Sequence, residues 1–179
     1  NSRTDKDTTH SYLDLYQSLL EKKRETAEKV LEIGILKGGS IKMWSDFFIN
    51  ADVYAVDILP KEKMWEELLN KQTIHLYNSE DAYNPGFIQN EFIDNEIQFD
   101  VMLDDGPHTL QSMIQFIKLY LPMLKSDGIM IIEDVQQMEW LDILKETVPN
   151  NFRNYVQCYD LRQNKGRYDD IVFCINKNS

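Results

Sequence analysis

Cysteine and histidine are scarce in this chain: two and three among 179 residues. Cys158 and Cys174 lie far apart, without metal-type spacing, and read as small buried hydrophobes in late strands. Basic residues are outnumbered, 19 Lys and Arg against 30 Asp and Glu, for a net charge of -11. Such a field repels phosphate backbones, so a broad nucleic-acid or anionic-membrane surface is not expected. No apolar run approaches the roughly 18 residues of a membrane span, and the polar opening NSRTDKDTTH holds no signal-peptide core. These absences predict a soluble chain of a reducing, cytoplasmic compartment. There is also no internal repeat, low-complexity linker or composition shift. Residues 1–179 are therefore expected to form one domain, with 1–25 lying over a crevice.

What the sequence does contain is alternation. Ser11–Glu25 carries Leu13, Tyr16, Leu19 and Leu20 at helical spacing, and Lys29–Gly34 is a short β-type run. Helical periodicity follows at 41–50, 61–71, 86–95, 109–124 and 137–147; strand-like runs fall at 52–57, 73–77, 98–103 and 129–132. Pro122 should perturb the last turn of its helix, and Asp127-Gly128 reads as the turn into Ile129–Ile132. The runs 152–161 and 168–176, joined by QNKG, read as a closing hairpin. The pattern predicts an α/β fold: a mostly parallel, seven-stranded, Rossmann-like sheet with helices on both faces and a C-terminal antiparallel hairpin.

Ligands of such sheets bind beyond the carboxyl ends of the strands. The residues there are Glu32 and Gly34, Asp57, Asn78 to Asp81, Asp104 to His108, and Glu133-Asp134. The loop LEIGILKGGS has glycines suited to a tight turn and close approach of a ligand. It lacks the G-x-G-x-x-G spacing of dinucleotide folds and the Gly-Lys-Ser/Thr of a phosphate loop. Asp57, 23 residues beyond Gly34, suits a ribose diol. Asp105, Glu133 and Asp134 would repel one another unless a hard divalent cation such as Mg²⁺ joined them. Neighbouring Asp104 would point the other way, toward the cofactor. His108 titrates in the range of a general base. His75 and the tryptophans Trp44, Trp65 and Trp140 read as packing residues. The segment around His10 is too polar for a core and either frays or folds over the crevice.

LEIGILKGGS, AVD at Asp57, LDDGPH and IIEDV together resemble the class I S-adenosylmethionine-dependent methyltransferases. The nearer resemblance is to the metal-dependent macrolide-sugar O-methyltransferases of the macrocin and mycinamicin type, and to the cephalosporin hydroxylase-like group. The opening TDKDTTHSYLDLYQSLL is similar to the segment preceding the glycine loop in that group. The resemblance implies that Glu32, Gly34, Gly38 and Ser40 line the methionine side of S-adenosylmethionine. It implies further that Asp57 holds the ribose, that Ser79 or Asp81 lies nearer the adenine, and that Thr4 closes over the cofactor. Asp105, Glu133 and Asp134 match the Mg²⁺ ligands and His108 the general base. The implied reaction is O-methylation of a small hydroxylated acceptor, a sugar or glycosylated metabolite. Within residues 1–179 a counterpart of the larger enzymes' N-terminal auxiliary domain is not expected. Exposed aromatic residues near the hairpin suit a homodimer edge. The alternatives are a NAD-dependent oxidoreductase and a non-catalytic adenosine-binding module.

Overall fold

The structure is a computed structural model that describes residues 4–178. Seven strands, β1 (Lys29–Ile33), β2 (Asp52–Asp57), β3 (Ile74–Asn78), β4 (Phe99–Asp104), β5 (Leu124–Ile132), β6 (Val156–Asp160) and β7 (Ile171–Asn176), form one sheet in the order β3-β2-β1-β4-β5-β7-β6. Pairing is parallel from β3 to β5, and β7 runs antiparallel to both β5 and β6. The expected sheet and its antiparallel end are thus present.

Burial on both faces explains why the central strands are largely apolar. Met102, Met130, Ile132 and Phe173 face one core with Phe92, Phe116 and Tyr120. Val101, Leu103, Ile129, Ile131 and Cys174 alternate to the other, with Leu20, Ile41, Trp44 and Phe48. The first face is covered by α5 (Pro85–Ile88), α6 (Leu110–Tyr120) and α7 (Glu139–Thr147). The second is covered by α2 (Leu13–Leu20), α3 (Gly39–Phe47) and α4 (Glu66–Leu69). Two short helices remain, α1 (Asp5–Thr8) and α8 (Arg162–Lys165). No helix among the described residues is long and apolar enough to cross a membrane.

Several elements differ from expectation for tertiary reasons. The helix expected over 61–71 shrinks to a 3₁₀ turn at Lys61–Lys63 and the four-residue α4. Met64 is extended and buried, and the Trp65 N–H donates to the Lys37 carbonyl (3.2 Å), so docking against the glycine loop overrides helical periodicity. Strand β5 already begins at Leu124, paired with Phe99; after a register irregularity Val101 pairs with Ile129. Asp127-Gly128 is therefore an excursion within the strand. QNKG is not a hairpin turn: Gln163 to Lys165 complete α8, and Gly166 caps it in the left-handed conformation. Cys174 is buried as expected, but Cys158 lies exposed on β6, the outermost strand.

Candidate active site

The loop after β1 is shaped by glycine. Gly34 has φ +80°, and a Cβ there would collide with the Asp105 carbonyl, so the β1 and β4 loops touch only because this side chain is missing. Gly38, at φ +92°, is the N-cap of α3, and a Cβ on it would meet the Leu68 side chain. Asp57 fastens the loop from the side: its Oδ2 accepts from the N–H groups of Ile35 and Leu36 (both 2.8 Å), and its Oδ1 from Leu59 (2.7 Å). Strain gathers at the same end of the sheet. Leu36, Ser79, His108 and Asp134, each on a loop following a parallel strand, have positive φ of 50–62°. Non-glycine residues hold that conformation only where their surroundings impose it.

Between these loops lies a cavity of about 640 Å³, within the usual range for small-molecule sites. Thr4, Gly34, Ser40, Asp57, Asp81, Asp105 and His108 all line it. Four predicted cofactor residues lie off its wall. Glu32 is buried beneath the glycine loop, accepting from Trp44 Nε1 (3.0 Å), and Gly38 serves the helix cap. Ser79 supports the neighbouring loop through its N–H to the Leu59 carbonyl (3.1 Å). Asp104 does diverge from Asp105, but toward Tyr83: its Oδ1 accepts from the Tyr83 hydroxyl (2.6 Å) and the Gly106 N–H (3.1 Å). Its Oδ2 is buried without a hydrogen-bond partner.

The acid cluster is organised by the N-terminal segment. Lys6, 1% exposed, places its Nζ 3.2 Å from Glu32 Oε1, 2.9 Å from Asp105 Oδ2 and 2.5 Å from Glu133 Oε2. Tyr12 donates its hydroxyl to Asp134. His10 Nδ1 lies 2.7 Å from Asp170 and 3.3 Å from Asp134. Far from fraying, the polar opening thus supplies buried cationic and hydroxyl partners to the sheet's acids. His108 Nε2 stands 3.1 Å from Asp105 Oδ1 and 3.6 Å from Asp134 Oδ2. Asp105, His108 and Asp134 each offer a ligand atom, all within 4.8 Å of one another. Glu133 is outside that group because its carboxylate is drawn to Lys6.

Charge follows burial. Desolvation pushes the carboxyls of Glu32 and Glu133 up to about 7, against the opposing pull of Lys6. Burial also raises Asp134, while the Tyr12 hydroxyl works the other way. Asp105 is less buried, and Lys6 and His108 outweigh desolvation and hold it below the usual carboxylate range. Burial alone would depress Lys6; Asp105, Glu133 and Glu32 instead raise it well above an ordinary lysine. His108 is likewise raised, its hydrogen bond to Asp105 and the field of Asp134 exceeding desolvation. The carboxylates of Asp105 and Asp134 are hard oxygen donors that suit Mg²⁺ or Mn²⁺, with the His108 imidazole beside them.

Sequence reasoning did not single out Lys6, Tyr12 or Tyr83, and it read Trp65 as a packing residue. Trp65 lines the cavity rather than only packing, as does Tyr83. Trp44 and Trp140 pack as expected, and His75 stacks on Tyr54 with ring centroids 4.5 Å apart.

A glycine loop, a cavity at the strand ends and an adjoining acid cluster define a Rossmann-like methyltransferase domain. Residues 31–135 match the family described as "Methyltransferase domain", and the chain belongs to that family. Among curated relatives, the 8-demethyl-8-alpha-L-rhamnosyl tetracenomycin-C 2'-O-methyltransferase of Streptomyces olivaceus is 27% identical over 144 residues, 76% of this chain and 36% of that protein. The mycinamicin VI 2''-O-methyltransferase of Micromonospora griseorubida is 28% identical over 142 residues, 73% of this chain and 33% of that one. The chain thus spans about a third of the length of the curated relatives it matches. Two solved structures share the fold. The methyltransferase MycE, from the mycinamycin biosynthetic pathway in complex with Mg, SAH and mycinamycin VI, superposes with a TM-score of 0.68 at 20% identity, over 93% of this chain and 49% of that one. Aeropyrum pernix fibrillarin, with natively bound S-adenosyl-L-methionine, gives 0.66 at 14% identity, over 89% and 71%.

Proposed function

We propose that this domain transfers a methyl group from S-adenosylmethionine to a hydroxyl of a sugar-bearing small molecule, with Mg²⁺ or another hard divalent cation held by Asp105 and Asp134 beside His108. One observation carries the reading: Asp105 and His108 belong both to the cavity wall and to the cation-binding group, so a bound cofactor and a bound cation would meet at one edge. The sugar O-methyltransferases among the relatives support the acceptor class.

When bound, the cofactor supplies an electrophilic sulfonium methyl and the cation acidifies the acceptor hydroxyl. The chain's own residues do the rest. The glycine loop and Asp57 shape the cofactor's bed, with Thr4 and Asp81 on its walls. Asp105 orients the His108 ring by accepting from Nε2–H, which leaves Nδ1 as the nitrogen that takes the hydroxyl proton. Fixing donor and acceptor at attack distance contributes up to roughly 7–11 kcal/mol of the barrier reduction. Because His108 must be neutral to accept the proton, turnover should rise with pH as the ring deprotonates.

Calorimetric titration with S-adenosylmethionine, with and without Mg²⁺ and with NADH as control, tests the first half. Binding of the former and none of the latter supports the proposal; the reverse would favour an oxidoreductase, for which the missing G-x-G-x-x-G leaves no phosphate cradle. A turnover screen over glycosylated acceptors then separates a catalyst from a binding module. His108→Ala should lower turnover about 10²–10⁴-fold and leave cofactor affinity nearly unchanged. Loss of cofactor binding in that variant would remove His108 from the role of base.

A further inference from the structure

Each carboxylate around Lys6 meets the ammonium through one oxygen only: Glu32 Oε1, Asp105 Oδ2 and Glu133 Oε2. The second oxygens differ in their fates. Glu32 Oε2 accepts from Trp44, Asp105 Oδ1 faces His108, and Glu133 Oε1 is buried without a hydrogen-bond partner. Lys6 donates hydrogen bonds to Asp105 Oδ2 and Glu133 Oε2, and Glu32 Oε1 lies 3.2 Å away in an ion pair, so three carboxylates surround the one ammonium. The cluster therefore holds two cation positions. One, between Glu32, Asp105 and Glu133, is filled by the chain itself; the other lies between Asp105, His108 and Asp134.

We propose that Lys6 is a positioning residue for the cation site: its ammonium fills the first position permanently, so that the cluster takes one divalent ion instead of two and presents Asp105 to that ion through Oδ1. The inference rests on the metal-dependent reading above. Three carboxylates on converging strand ends, two of them fully buried, repel one another without a cation among them. A tethered lysine supplies that cation without any ion being bound, and only a single positive charge. Its burial also has a geometric consequence. Thr4 and Asp5, immediately before Lys6, form part of the cavity wall. Pinning the ammonium among the three acids therefore sets the wall at the same time as it sets the number of cations.

The test is titration of the chain with Mn²⁺ alone, following free ion by electron paramagnetic resonance, for wild type, Lys6→Met and Lys6→Arg. The expected result is one ion per chain for wild type and Lys6→Arg, and two for Lys6→Met, the second ion replacing the lost ammonium. Where Lys6→Met is unfolded without metal, Mn²⁺ should restore its far-ultraviolet circular dichroism. A folded Lys6→Met that binds one ion with wild-type affinity overturns the proposal, as does a variant that Mn²⁺ cannot refold. Two ions on the wild type would overturn the role of Lys6 and leave the metal-dependent reading standing. No ion on the wild type would instead remove the metal-dependent reading, and this inference with it.

Discussion

Asp104 shows what one buried carboxyl does to the pH dependence of the whole domain. Burial pushes its pKa up to about 6, although the Tyr83 hydroxyl and the Gly106 N–H favour the charged form. Its Oδ2 has no partner, which is consistent with a carboxyl that keeps its proton longer than usual. A raised folded-state pKa means that the native chain holds more protons than the unfolded one between about pH 4 and 6. Stability from this group is thus fullest below pH 4 and is lost as pH rises through 6. Asp104→Asn keeps an oxygen for Tyr83 and Gly106 but removes the titration. Relative to wild type, the variant should gain on the order of 1–3 kcal/mol between pH 4 and pH 7. Urea unfolding midpoints across that range check it; parallel pH curves for the two proteins would rule it out. The position of Asp104 at a strand end was legible, because a strand that runs into acids ends where ligands bind. Its partner was not, since Tyr83 comes from a loop 21 residues away and only the folded sheet brings the two together. Lys6 was hidden for a stronger reason: a lysine in a polar run looks solvated unless the distant acids that compensate its charge are known.

At the scale of elements, the N-terminal segment is held by polar anchors rather than by an apolar stripe. Tyr12 is 1% exposed, stacked on His10 at 5.0 Å between ring centroids, and donates to Asp134. Tyr12→Phe keeps the ring and removes only that donor, leaving a buried acid short of a hydrogen bond. The loss should be about 1–3 kcal/mol, read as a lower urea midpoint, with faster proteolytic cleavage within residues 4–12 because the segment opens locally before the sheet does. Unchanged cleavage would show that Lys6 and His10 suffice to hold it. The same scale shows where periodicity misleads. The strands of the sheet were legible because apolar runs buried on both faces admit few other readings. The helix expected over 61–71 was not realised because Met64 and Trp65 serve the glycine loop, a long-range demand that local spacing does not record. In the C-terminal connection, QNKG has the composition of a tight turn, but the strands end earlier and the chain makes a short helix instead.

For the molecule as a whole, one sheet carries two cores, and each central strand contributes to both. Neither core can dissolve without exposing the strands of the other, so thermal unfolding should be a single cooperative transition. The cavity proposed to hold the cofactor is walled by the loops after β1 to β4 and by Thr4 and Asp5 of the N-terminal segment. A ligand that binds only the native state stabilises it by about 2.7 kcal/mol at one hundred times its dissociation constant. For a domain of this length that corresponds to a rise of about 5–10 °C in melting temperature. Scanning calorimetry with increasing S-adenosylmethionine should show one peak moving upward with the logarithm of ligand concentration, and no movement with NADH. Two peaks, only one of which moves, would mean that the cavity belongs to one face of the sheet alone and that the cores unfold separately. A single peak indifferent to S-adenosylmethionine would leave the fold as described and remove the cofactor from the cavity.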